Sequence, residues 1–248
     1  MARSKPSTAR REDLATPDDD QQATTRRYDR TAAFYDLYDW PMDIVGGVRR
    51  RRKRLLGLAR GRVLEVGVGT GRNLDLYPPE VGLSGIDVSA AMLARAQRRA
   101  RSLGIDGVVE LELADVRRLP FEDATFDTTV ATCVFCSVAD PITGLAELAR
   151  VTRPDGQVLL LEHVRPRNPV LGWLFDAANP LVQRLLGPNI NRRTETNVAA
   201  AGLDIVKVHR GGVWREIQAR PPRTISMRGD EPERATRNRG GHNHEADR

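Results

Sequence analysis

Apolar residues in this chain fall into short unbroken runs separated by stretches of helical spacing, the pattern of a parallel sheet with helices packed on it. Arg62–Val66, Leu83–Asp87, Val108–Asp115, Thr128–Val134 and Gln157–Glu162 read as five strands, rich in Val, Leu and Ile and bounded by turn residues. Between the second and third, Met92, Leu93, Ala96, Ala100 and Leu103 share one helical face, with Ser89 as N-cap and Gly104 as the stop. Asp140-Pro141 opens another helix, whose apolar positions are Ile142, Leu145, Leu148 and Val151. Arg153-Pro154-Asp155-Gly156 is a turn before the fifth strand. Near the end, Leu203–Val208 and Val213–Ala219 flank Gly211-Gly212 as an antiparallel hairpin.

The first strand runs into Gly67-Val68-Gly69-Thr70-Gly71, a turn where side chains would keep a ligand from the backbone. Asp87 closes the second strand, where a carboxylate can accept hydrogen bonds from both hydroxyls of a ribose. This pairing predicts a nucleoside-bearing cofactor. A dinucleotide fingerprint would place its last glycine where Arg72 stands, and Glu65 is a poor neighbour for a pyrophosphate. Glu65 would suit a cationic methionine group instead.

At these residues the chain resembles the class I S-adenosylmethionine-dependent methyltransferases, whose first motif is acidic-x-Gly-x-Gly-x-Gly. Ile86–Leu93, Ala114-Asp115, Leu119-Pro120-Phe121 with Phe126-Asp127, and Arg150–Gly156 are similar to the motifs that follow in the family. The resemblance covers about Tyr28 to Ala219. It implies a Rossmann-like α/β fold: a seven-stranded, mostly parallel sheet with an antiparallel C-terminal hairpin and helices on both faces. It also implies S-adenosyl-L-methionine as cofactor, bound by Glu65, Gly67, Gly69, Gly71, Asp87 and Asp115, with Asp115 on the adenine amino group. Val88, Met92, Val116 and Cys133 are counted with them, as are Tyr28 and Tyr35 from the segment before the domain's first strand.

Composition adds the limits. The chain has 248 residues, 40% of them hydrophobic, enough for one α/β domain of ordinary size. Residues 1–27 and 221–248 are polar, charged and aperiodic, so both read as disordered tails around a domain at 28–220. Neither a secretory signal nor a membrane-spanning run is present, which predicts a cytoplasmic protein, with a peripheral place at the inner membrane surface as the other expectation. Net charge is +6, concentrated in Arg49–Arg54, which is read either as a solvated helix start or as a contact for anionic lipid headgroups. Nucleic acid is disfavoured because aromatic residues make up only 5% and none interleave with the basic run. Cys133 and Cys136 lack the second pair a zinc site needs, and His242 and His244 lie in the tail, so no metal is expected.

Two segments are expected to shape the acceptor site. Arg27 to Trp40 holds Tyr28, Tyr35 and Tyr38, with Tyr28 and Tyr35 seven residues apart on one helical face. Similar segments close over the cofactor in methyltransferases of quinones and phospholipids. Pro169–Gly187 carries more apolar residues than a crossover helix needs, and Pro180 is expected to break it. It would wall a greasy pocket or rest on a membrane, while Arg192 and Arg193 meet a phosphate. Tyr38 and His163 are the candidate catalytic side chains, His163 because ligands of open α/β sheets gather at the carboxyl ends of strands.

Within the family the chain looks like bacterial phosphatidylethanolamine N-methyltransferases and membrane-associated thiol methyltransferases, and more loosely like ubiquinone/menaquinone C-methyltransferases. The expected acceptor is therefore a small, lipophilic molecule, with a phospholipid amine first and a quinone carbon or a thiol as alternatives. No obligate protein partner is inferred. Base methylation is opposed by the absence of Asn-Pro-Pro-Tyr after the fourth strand, where Thr132-Cys133-Val134-Phe135 stands. Nicotinamide chemistry is opposed by Arg72 and by the lack of a Tyr-x-x-x-Lys pair.

Overall fold

The computed structural model describes residues 19–32, 47–166, 168–186 and 188–222. Its elements are α1 (Asp19–Thr31), α2 (Val48–Leu56), β1 (Arg62–Val66), β2 (Gly82–Asp87), α3 (Ala90–Leu103), β3 (Val109–Leu113), β4 (Phe126–Thr132), α4 (Pro141–Val151), β5 (Thr152–His163), α5 (Pro169–Leu186), α6 (Thr194–Ala200), β6 (Asp204–Gly211) and β7 (Trp214–Arg220). The strands form one sheet in the order β3-β2-β1-β4-β5-β7-β6. The first five are parallel, and β7 runs antiparallel to both β5 and β6. This is the seven-stranded class I arrangement that the motifs imply.

Side chains alternate across the sheet and divide its core in two. Leu64, Val66, Leu160 and Ile217 pack on one face with Leu145 and Leu148 of α4. Val63, Leu159, Leu161 and Trp214 pack on the other with Leu55 and Leu56 of α2 and Leu93 and Ala96 of α3. The helix ends are built as the sequence predicts. Ser89 Oγ accepts the Met92 amide at 3.2 Å, and Gly104 takes the left-handed turn at φ 70°. Asp140 accepts the amides of Ile142 and Thr143, each at 3.1 Å, ahead of Pro141.

Four expectations need correction. The first tail ends too late in the sequence reading: α1 is helical from Asp19, because its inward face is polar and carries no apolar periodicity to betray it. Strand β5 begins at Thr152, and the Arg153–Gly156 turn sits inside it as an irregularity, the pairing jumping from Phe126↔Thr152 to Thr128↔Gln157. Pro180 does not break α5, which runs through it. Proline removes the donor for the Asp176 carbonyl, and Asp176, Ala177 and Ala178 are exposed, so water can supply one.

The basic run is the fourth. Arg51 and Arg54 both donate to Glu216 of β7, which is buried, and Arg49 pairs with Asp75 at 2.7 Å. Arg52 is buried as well, with its charge felt by Glu65. Helix geometry therefore turns Arg51 and Arg52 inward, Glu216 clamps Arg51 and Arg54 between α2 and the sheet, and Arg49, Arg50, Lys53 and Arg54 keep an exposed face.

Candidate cofactor and acceptor site

A cavity of about 670 Å³, open to solvent, lies at the carboxyl ends of the strands. The strand order reverses between β1 and β4, and open α/β sheets bind their ligands at such a switch point. Of the residues expected to bind the cofactor, Tyr28, Gly67, Gly69, Asp87, Val88, Met92, Asp115, Val116 and Cys133 line it. Glu65 and Gly71 do not. Tyr35 and Tyr38 fall outside the described residues.

Asp87 organises the donor side. Its Oδ2 accepts the Gly69 amide and its Oδ1 the Ser89 amide, both at 2.9 Å. Burial raises its pKa above the usual carboxylate range, against the pull of these amides. Val88 adds a third backbone contact, and of the carboxylate's roughly four lone-pair sites one or two remain for ligand hydroxyls. Gly69 has a φ of 57°, and a Cβ there would meet only the Gly67 carbonyl within 4 Å, leaving an open cradle of backbone. These features fit the adenosyl part of S-adenosylmethionine. Asp115 is more committed: it accepts the Arg117 amide at 2.9 Å and forms an ion pair with the Arg117 guanidinium at 2.9 Å.

Glu65 works beneath the loop rather than inside the cavity. It is 1% exposed, and it accepts from Asn73 Nδ2 at 2.6 Å and Tyr77 Oη at 2.9 Å. Asn73 also donates to Thr132 Oγ1 at 2.9 Å, tying the glycine loop to the end of β4. Burial pushes Glu65 up to about 7. Gly71 is needed for packing, since a Cβ there would lie 2.8 Å from Leu74 Cδ1 and 3.1 Å from the Ala96 backbone.

The closing helix is α1. Gln21, Thr24 and Tyr28 present one face to the cavity at helical spacing. Tyr28 Oη and Ser137 Oγ are 2.6 Å apart, and burial raises the phenol pKa, keeping it protonated. Asp29 accepts from the N-cap Ser89 Oγ at 2.5 Å. Sequence reading found Tyr28 but missed Gln21 and Thr24, whose only signal was their three- and four-residue spacing to Tyr28, and Ser137, a loop residue outside that spacing.

The loop after β4 forms the other wall, with Thr132, Cys133, Val134, Ser137 and Val138 on the cavity. Cys133 and Cys136 form no disulfide, and among the described residues no His/Cys/Asp/Glu group is arranged to hold a metal ion. Asn189 donates through its backbone amide and its Nδ2 to the Cys136 carbonyl, at 2.9 and 3.1 Å. Asn179 of α5 donates to Asn189 Oδ1 at 3.1 Å and accepts the Ile190 amide at 2.8 Å. Arg192 donates to the Val138 carbonyl at 2.9 Å. Helix α5 is thereby roped to the cavity wall, while Val170, Leu171, Trp173, Leu174 and Leu181 remain exposed on it. His163 is at the end of β5, edge-on to Trp214 with ring centroids 6.1 Å apart. It does not line the cavity, and burial lowers its pKa to about 4.

Residues 64–160 match the family model described as a methyltransferase domain. The chain is 38% identical over 197 residues to a phosphatidylethanolamine N-methyltransferase of Cereibacter sphaeroides, covering 73% of this chain and 94% of that protein. It is 33% identical over 175 residues to the ubiquinone/menaquinone biosynthesis C-methyltransferase UbiE of Pseudomonas savastanoi pv. phaseolicola, covering 66% of this chain and 67% of that one. In fold it is similar to the solved structure of a SAM-dependent methyltransferase, possible histamine N-methyltransferase, from Thermotoga maritima. That match has a TM-score of 0.60 and 19% identity over 80% of this chain and 99% of the other.

Proposed function

Since this chain belongs to the class I S-adenosylmethionine-dependent methyltransferases, we propose that its acceptor is the amine of phosphatidylethanolamine, met at a membrane surface. The observation that carries the reading is α5. Its apolar side chains point to solvent, yet its Asn179 reaches through Asn189 to the wall of the cavity. A soluble acceptor gives no reason for an exposed Trp, Val and three Leu beside a reaction site. Acyl chains do, because apolar contact contributes roughly 25 cal/mol per Å² removed from water. The 38% identity to a protein named for this activity supports the same reading.

S-adenosylmethionine supplies an electrophilic methyl on a sulfonium, so an amine with a free lone pair displaces it directly. The chain's own work is alignment. Asp87 and Gly69 hold the donor's ribose side, and Tyr28, Ser137 and the β4 loop confine the acceptor side. Asp87 keeps acceptor capacity for a ribose hydroxyl, and Tyr28, kept protonated, offers a donor and no negative charge. In this proposal the proton lost by the amine passes to water, because His163 stands outside the cavity. No helix among the described residues is long and apolar enough to cross a membrane, in keeping with contact from one side.

A quinone carbon is the second reading, favoured by the 33% identity to the C-methyltransferase. Methyl transfer to phosphatidylethanolamine vesicles and to a demethylated quinone, each followed by mass, separates the two. Gain of 14 mass units by the phospholipid supports the proposal, and gain by the quinone alone overturns it (about 14 Da is a net CH₂, one methyl gained and one proton lost).

A further inference from the structure

We propose that Glu162, a residue outside the cavity, is the positioning residue for its acceptor-side wall. Glu162 is the last but one residue of β5 and has no solvent exposure. Its Oε1 accepts two consecutive backbone amides, Val134 at 2.9 Å and Phe135 at 3.0 Å. A buried acceptor that spends one oxygen on two consecutive loop amides fixes the direction of the loop, since turning away would leave both amides without it in a place water does not reach.

The loop needs that hold. Cys133 has a φ of 59°, a left-handed conformation that costs an L-residue with a Cβ, and its own amide is still bonded to the Leu161 carbonyl at 2.8 Å. The chain thus leaves β4 through one strained residue and is caught at once by Glu162. Val134 then lies against the glycine loop, its Cγ2 only 2.5 Å from where a Cβ on Gly67 would stand. Three residues on, Ser137 meets Tyr28 of the closing helix. A shift of Val134 would therefore move the acceptor wall and the closing contact together, while the glycine loop keeps its own ties, Gly69 to Asp87 and Asn73 to Glu65.

The sheet order separates the effects on the two substrates. Asp87 and Asp115 hold the adenosyl side at the ends of β2 and β3, while Glu162 acts on the loop after β4, across β1 from them. Loss of Glu162 must therefore spoil alignment of the transferring methyl and the acceptor more than affinity for the cofactor, and a misplacement of 1 Å costs on the order of 100-fold in rate.

The test compares Glu162→Ala, Glu162→Asp and Glu162→Gln in the full chain. Binding of S-adenosylhomocysteine and amide exchange at Val134 and Phe135 need no acceptor; turnover uses whichever of phosphatidylethanolamine or the demethylated quinone the unaltered enzyme methylates. Glu162→Ala is expected to lower kcat roughly 30- to 100-fold, to keep S-adenosylhomocysteine affinity within about threefold, and to lose protection at both amides. Glu162→Asp withdraws the carboxylate by about 1.5 Å and should behave in the same way, which preserves the test if the alanine chain does not fold. Glu162→Gln keeps a carbonyl for the same two amides and should recover protection and most of kcat. Unchanged kcat in the Ala or Asp variants would overturn the proposal. So would a parallel loss of cofactor binding, or a Gln variant no better than Ala.

Discussion

Replacing Asp87 by Ala removes the one side chain that joins the glycine loop to the helix start across the cavity. In the structure its carboxylate holds the Gly69 and Ser89 amides, both at 2.9 Å, and lines the cavity. Hydrogen bonds to a charged group contribute about 1.5–3 kcal/mol each, so losing one or two to a ribose costs about 1.5–6 kcal/mol of binding. That is a weakening of at least about tenfold in Kd for S-adenosylmethionine and for S-adenosylhomocysteine alike, at about 1.4 kcal/mol per factor of ten. Calorimetric titration measures it, with circular dichroism and thermal melting as controls for the loss of the two loop bonds. Asp87→Asn, which keeps one carbonyl oxygen, should fall between the two. An alanine variant that folds and binds S-adenosylhomocysteine within threefold of the unaltered chain would refute the placement of the ribose on Asp87.

The other expectations test separate parts of the same site. Tyr28→Phe leaves Ser137 Oγ only its 3.6 Å contact with Cys136 Sγ and should speed S-adenosylhomocysteine dissociation by roughly fivefold, about 1 kcal/mol, in stopped-flow. Removing residues 1–18 should leave cofactor affinity unchanged, whereas removal to Arg27 deletes Gln21 and Thr24 and should weaken it at least tenfold, or about 1.4 kcal/mol. Gly67→Ala forces a Cβ to 2.5 Å from Val134 at a φ of 65°, and should lower the melting temperature and cofactor binding together.

For stability against pH, burial holds Glu65 and Glu162 at about 7, above their unfolded value of 4.5, so the folded state binds their protons more tightly. Their contribution is full below the unfolded value and is lost as pH rises towards 7. His163, lowered to about 4, has the opposite slope between that value and 6.5, so the melting temperature should fall most clearly between about pH 6 and 7 and level off above that. Glu65→Gln or Glu162→Gln should flatten that fall, and an unchanged slope in both would contradict the shifts.

Most of the scaffold was legible because its signals are local. Runs of Val and Leu mark β1 and β5, Ser89 and Gly104 bracket α3, and the glycines with Asp87 identify the cofactor side. The remainder depends on who meets whom in three dimensions. Glu65 reads as a ligand group from its place beside the glycines, yet its strand alternation turns it away from the cavity to Asn73 and Tyr77. Arg51 and Arg54 read as surface charge until Glu216, 162 residues beyond Arg54, is folded against them. Gln21 and Thr24 were hidden because an inward face made of polar residues has no hydrophobic period to reveal it.

That polar face has a consequence for turnover. An apolar helix laid over the cavity would resist opening by the free energy of all the surface it hides, and product would wait behind it. Polar contacts hold helix α1 instead, among them Tyr28 to Ser137, Asp29 to Ser89, and Gln21 to the Ala139 amide at 3.5 Å. Each such contact contributes about 1 kcal/mol net, since water replaces it when the helix lifts. Contacts of this kind add only a small increment each to the cost of opening, a motion of the microsecond to millisecond scale. The same contacts re-form whenever fresh donor arrives, so the enzyme can exclude water during transfer and still exchange a spent cofactor, of nearly the same shape, for a new one.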